Sequence, residues 1–266
     1  MNLNLVMLGF VVAALVALTG VGGGSLMAPA LILGCGIAPP VAVGTDLIYA
    51  AVTKAGALWV YGRQGRVRWR IAMLMLAGSL PAALVSSVTL WSVRNDIAAL
   101  DRLVSIALGV ALFFSAIAIA FHERIRDFTI SRADRQPRIE AIAGWTRNHR
   151  NGLAIAIGVV VGVLVTLSSV GAGAVGVAAL MLLFPAISPG EIVGTDIAYG
   201  VLLAATAGAG HFMLHNVDFT LLASLLIGMI PGVYVGGLFS GSLPETMVRR
   251  LISLALLAVA LKLFVV

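Results

Sequence analysis

Charge is scarce in this chain. Asp, Glu, Lys and Arg make up 11% of its 266 residues, against about 25% in a soluble domain, so a water-soluble fold of this length has no place to hide the remaining apolar surface. Cysteine is scarcer still: Cys35 stands alone, which excludes an intrachain disulfide. The four histidines are His122, His149, His211 and His215. None forms a Cys/His pair at zinc-ligand spacing, and His211 with His215 lacks a third ligand, so no metal is expected. No GxxxxGK[ST] loop is present, which argues against ATP-driven work by this chain alone. No nucleophile–base set is visible either, so neither an enzyme nor a cofactor is expected. The opening MNLNLVMLGF has no basic region before its apolar run and no clear cleavage site, and a retained first helix is expected rather than a signal peptide.

What the chain has is apolar length. Hydrophobic residues make up 61% of it, and the mean hydropathy is +1.08. Spans of a bilayer need about 20 apolar residues each. Eight such runs are readable, at 3–20, 42–61, 70–91, 101–121, 152–170, 192–212, 219–238 and 248–266. Shorter apolar pieces at 25–34 and 174–184 follow the first and fifth runs. The expected class is an all-α polytopic membrane protein of about eight helical segments plus short half-helices. The net charge of +6 comes from arginines lying mostly between the runs. That fits a positive cytoplasmic face better than a nucleic-acid partner. Trp59, Trp69, Trp91 and Tyr61 fall near run ends, where an aromatic belt would put them.

The chain repeats itself. VGTD occurs at Val43–Asp46 and again 150 positions later at Val193–Asp196. At the same offset Tyr49 matches Tyr199, the turn Arg66–Trp69 matches Asn216–Phe219, and Gly78 and Pro81 match Gly228 and Pro231. With one residue of slippage, Val21–Gly24 matches Val170–Gly173. Residues 1–121 and 151–266 therefore read as two transmembrane repeats. They are joined by the polar linker 122–150, which carries seven Arg and four acids and suits a segment lying on anionic lipid.

Two topologies are open. Each half crosses four times and the halves are parallel, or the first run stops at Gly22-Gly23-Gly24, the short piece 25–34 returns, and the second half is inverted. Cations collect in short cytoplasmic loops. The inverted arrangement puts the cation-free turn 213–218 outside and Arg249-Arg250 inside, which fits better, although Arg94 and Arg102 fall outside either way. It places both termini outside.

The glycine bends carry the first candidate site. Gly22, Gly23, Gly24 and Ser25 would open a half-helix at membrane depth, and Gly171, Ala172 and Gly173 would do so from the other side. A helix start offers unpaired N–H groups and partial positive charge to an anion. Two half-helix ends meeting at the midplane is a recurrent transporter design, while close helix packing is the plainer use of small residues. Thr45-Asp46 and Thr195-Asp196 read either as N-caps or as a wet, charge-paired position, because an ionised Asp at mid-depth costs about 2.5–3.5 kcal/mol on insertion scales. Asp46, Tyr49, Thr53 and Lys54 form a polar stripe at helical spacing. The matching stripe of the second half lacks the lysine. Lys54 could neutralise Asp46, greet an anionic substrate, or merely hold helices together. His211 reads as an interfacial helix-end residue, with a proton relay as the alternative.

The glycine run followed by VAVGTD, GRVRW and GSLPAAL, echoed by VGAGAVG, IVGTD, HNVDF and GMIPGVYVGG, resembles the sulfite exporter TauE/SafE family of membrane permeases over nearly the whole chain except the linker. That family often has Ser where Asp46 and Asp196 stand, and Val-Asp-Trp where this chain has Val67-Arg68-Trp69. The resemblance implies movement of sulfite, thiosulfate, sulfoacetate or another small anion across the bacterial inner membrane. The expectation is secondary transport, with Gly22–Ser25, Thr45, Lys54, Gly171–Gly173 and Thr195 holding the anion and Asp46 and Asp196 coupling protons. The alternatives are an anion channel and a structural membrane subunit.

Overall fold

A computed structural model describes residues 3–19, 24–120, 140–238 and 245–265, all of whose regular secondary structure is helical. The elements are α1 Leu3–Thr19, α2 Gly24–Cys35, α3 Pro39–Arg63, α4 Trp69–Val93, α5 Ile97–Ala120, α6 Glu140–Ser168, a π-turn Ala172–Gly176, α7 Val177–Leu183, α8 Pro189–Met213, α9 Phe219–Leu238 and α10 Glu245–Val265. Among the described residues, six helices (α3, α4, α5, α8, α9 and the His149–Ser168 part of α6) are long and apolar enough to cross a membrane. α1 and α2, with 17 and 12 described residues, are among the shorter apolar helices. α6 starts at Glu140, so the last part of the polar linker is continuous with a membrane helix rather than separate from it. Residues 121–139 lie outside the described ones.

The most extensive helix contacts are α1 on α9, α6 on α4, α3 on α8 and α5 on α10. Each joins one half to the other. Glycines make them close. Gly228, Gly232 and Gly236 of α9 lie against the main chain of Val6, Phe10 and Ala14 in turn, where any Cβ would strike a carbonyl. Gly158 and Gly162 of α6 meet Met75 and Ser79 of α4 in the same way. Small residues at such contacts let helix backbones approach without hydrophobic driving force, which lipid does not supply.

These contacts also fix directions. Both residue series ascend together, so α1 runs parallel to α9 and α6 parallel to α4. In the α3–α8 pair Gly208 meets Ile48 while Gly200 meets Lys54, so these two run antiparallel. The start of α4 bonds to Thr195 and its Ser87 packs at Gly210, making α4 parallel to α8. The start of α9 bonds to Thr45 at the head of α3, against which α9 packs.

α8 is the most enclosed span, with 61% of its apolar window buried against 39–44% for the others. The outer helices show large apolar side chains such as Leu3, Val85, Val88 and Ile230, the surface a bilayer covers. Trp59, Trp69 and Trp91 are exposed at helix ends, and Arg63 and Arg94 stack on the first and last of them at 4.1 and 3.9 Å.

Candidate functional site

The two VGTD segments lie inside helices, well past the starts of α3 and α8. The N-caps of those helices are Ala38 and Ser188, the latter in a capping box with Glu191. The N-cap reading of Thr45-Asp46 and Thr195-Asp196 is thus corrected, yet the threonines do cap something. The Thr45 hydroxyl accepts the Asp218 backbone N–H at 3.1 Å, and the Thr195 hydroxyl accepts the Arg68 N–H at 3.0 Å. Each serves the residue before the fourth helix of the opposite half. The neighbouring glycines complete the join: Gly44 faces the Asn216 carbonyl and Gly194 the Arg66 carbonyl, with no room for a Cβ. Gly-Thr is therefore a lock between halves, and the duplication has a structural reason at those positions.

The aspartates differ from each other. Asp46 is fully buried, and neither of its carboxylate oxygens has a hydrogen-bond partner among the described residues. The Ser169 hydroxyl and the Ala28 main chain stand beside it without completing a bond. Asp196, almost as buried, accepts a 2.7 Å hydrogen bond from the Tyr199 hydroxyl on Oδ1 and faces Lys54 Nζ at 3.8 Å from Oδ2. Lys54 does not fold back on Asp46 of its own helix. It reaches across to the acid in the matching position of the other half. Its ammonium sits over Gly200, where a Cβ would come within 2.6 Å of it.

The chain breaks beside this cluster. Ser169 and Gly171 adopt positive φ, 60° and 123°. At 123° only glycine is comfortable. The Gly176 N–H bonds to the Gly171 carbonyl to close the π-turn, so the N–H groups of Ala172 to Val175 precede the first bond of this helix and point out of it. π-turns of this kind concentrate at functional sites. Gly176 is closely faced as well: a Cβ there would meet the Tyr199 hydroxyl and lie 2.7 Å from Asp196 Oδ1.

A cavity of about 20 Å³ opens at this break, lined by Lys54, Ser169, Gly171–Ala174, Gly200 and Ala204 among others. It has room for a water molecule. Of the residues expected at the site, the structure brings together Lys54, Gly171, Ala172 and Gly173, with Asp196 one contact behind Lys54. It sends the hydroxyls of Thr45 and Thr195 to the lock. Gly22 and Gly23 lie outside the described residues, and Gly24 and Ser25 are placed only as the start of α2, which touches the π-turn.

His211, read as an interfacial residue, is buried, with Nε2 2.9 Å from the Thr166 carbonyl at the end of α6. Glu191 lies at the surface and pairs with Arg68 at 2.7 Å. Ser169, Gly176 and Gly200 were not singled out from sequence. The signal for Gly200 was its place on the stripe opposite the unmatched lysine.

A helical bundle that keeps a lysine, buried acids and an interrupted helix together in its interior has the construction of a membrane transporter. Comparison with known proteins agrees: the family model for Sulfite exporter TauE/SafE matches residues 5–263, and the chain belongs to that family. Its relatives include three proteins of Bacillus subtilis (strain 168). Probable membrane transporter protein YjnA is 36% identical over 236 residues, 89% of this chain and 89% of that protein. Probable membrane transporter protein YdhB is 27% identical over 250 residues, 94% and 95% of the two chains. Probable membrane transporter protein YunE is 24% identical over 259 residues, 93% and 90%. No solved structure matches.

Proposed function

We propose that this multi-pass membrane transporter is a secondary carrier of a small anion, a sulfur oxyanion, organosulfonate or carboxylate, across the bacterial inner membrane, with proton coupling through Asp46 and Asp196. The observation that carries the reading is Lys54 on the wall of a cavity whose other wall is the broken helix at Gly171–Ala174. An ammonium and outward-pointing backbone N–H groups together suit an anion and repel a cation. We read the halves as inverted-topology repeats. Supporting this, the contacts run α3 against α8, while α1 aligns with α9 and α6 with α4. The cavity has room for a water and not for an oxyanion, so we read the described conformation as closed, with access arising as one half moves against the other.

The test is anion binding by calorimetry to the purified full-length protein. Lys54→Gln should weaken binding of the transported anion strongly in protein that remains folded and monodisperse. Unchanged affinity would remove Lys54 from the site and with it the reading.

A further inference from the structure

Lys54 has two claims on it. Its ammonium lies on the cavity wall, where an anion would sit, and it is also the charged partner of Asp196. The existing pair is loose. At 3.8 Å it lies outside the hydrogen-bond range of about 2.7–3.2 Å, and the lysine side chain is 16% exposed where the aspartate is 5%. Nothing pins the ammonium from below, because position 200 is glycine. Asp196, by contrast, is held: Oδ1 is bonded to Tyr199, leaving Oδ2 with Lys54 alone among the described residues.

Resting on the anion site argued above, we propose that a monovalent anion entering the cavity takes Lys54 from Asp196, and that the released carboxylate binds one proton on Oδ2 from the side the anion came from. Charge requires the exchange. Lysine and aspartate together are neutral. Adding an anion alone leaves one uncompensated negative charge at membrane depth, which is costly; adding an anion and a proton restores neutrality. The carrier thus moves anion and proton as a pair, and it discriminates by charge as well as shape. A dianion leaves a net negative charge even after Asp196 is protonated, because Lys54 is the single cation lining the cavity among the described residues.

The groups around Asp196 do not substitute for it. From α3 it is faced by Lys54, with Asp46 and Tyr49 further along the same helix and Tyr61 beside Gly194. On α8 itself stand Tyr199 and, at the far end, His211 against Thr166. Arg66 and Arg68, at the head of α4, turn to the surface at Gly190 and Glu191. The end of α6 and the residue after it present hydroxyls, Thr166, Ser168 and then Ser169, and the π-turn presents no ionisable side chain.

Calorimetry of the full-length protein at neutral pH, run in two buffers of different ionisation enthalpy, counts protons taken up per anion bound. The probes are methanesulfonate and acetate as monovalent anions and sulfate as the divalent one. Uptake of about one proton per monovalent anion is expected, with sulfate bound about a hundredfold more weakly, the factor that one uncompensated charge at membrane depth implies. Asp196→Asn should still bind the monovalent probe but without proton uptake. Wild-type binding without uptake overturns the exchange while leaving the anion site standing, and so does uptake that persists in Asp196→Asn. Sulfate binding as tight as methanesulfonate overturns the charge rule. If no anion binds the wild type, the anion site itself fails and takes this inference with it.

Discussion

One methyl group at Gly44 should separate the structural role of the repeated motif from its chemistry. In Gly44→Ala the new carbon would overlap the Asn216 carbonyl oxygen and come 3.0 Å from both that carbonyl carbon and His211 Cβ. Two of these three are backbone atoms, so the turn before α9 must retreat, and the Asp218 N–H it carries leaves Thr45. Overpacking of this kind costs roughly 1–3 kcal/mol, and the lost hydrogen bond adds about 0.5–1.5 kcal/mol. Alanine also gains about 1 kcal/mol of helix propensity over glycine. Gly56→Ala, on the same helix with nothing within 4 Å of the added carbon, takes that gain and no penalty. The propensity term cancels between the two variants, so Gly44→Ala should be less stable than Gly56→Ala by roughly 2–4 kcal/mol. Gly194→Ala, whose methyl meets the Arg66 carbonyl and Tyr61, should behave alike. Denaturant or thermal unfolding of the purified variants in one detergent, followed by tryptophan fluorescence, reads the difference. If Gly44→Ala matches Gly56→Ala, the lock between halves is wrong.

Three further outcomes are expected. Gly200→Ala should fold normally, because the group it meets is the movable tip of Lys54, yet it should weaken anion binding measured by calorimetry; a thermal midpoint lowered by as much as in Gly44→Ala would show that the position serves packing instead. Single cysteines in the turns after α3 and α8, on a Cys35→Ser background, should be labelled by an impermeant reagent from opposite faces, the 64–68 turn from the cytoplasm; labelling of both from one face would refute inverted repeats. Arg68→Gln should change stability by less than about 1 kcal/mol, because its pair with Glu191 is surface-exposed, and a larger loss in unfolding experiments would assign that pair a role in holding the halves.

The spans were legible in sequence to within a few residues, except where α6 begins inside the polar linker. A run of about 20 apolar residues is a local signal that little besides a membrane span produces. The break at Gly171–Gly173 was legible because that signal is interrupted there, while the expected break at Gly22–Gly23 lies outside the described residues. The partners of Thr45, Thr195 and Lys54 were not, because they lie 173, 127 and 142 positions away, at Asp218, Arg68 and Asp196, and no periodicity reports on contacts at that separation. Repetition at a constant offset showed that the halves match. It did not show that they interlock, with the glycine of one half making room for the carbonyl of the other. His211 was misread because a histidine close to a helix end usually meets water, whereas this side chain is buried against Gly44 of α3 and the Thr166 carbonyl of α6.

The crosswise packing of α1 on α9 has a consequence for how the protein is made. α1 leaves the ribosome well before α9, and the glycine groove that receives it belongs to that later helix, which begins at Phe219. At roughly 5–20 residues per second of synthesis, α1 spends about ten to forty seconds in the membrane before its partner exists. Through that interval it has no groove to lie in. The closing of the bundle is therefore a late event, in which a segment made early docks against one made much later.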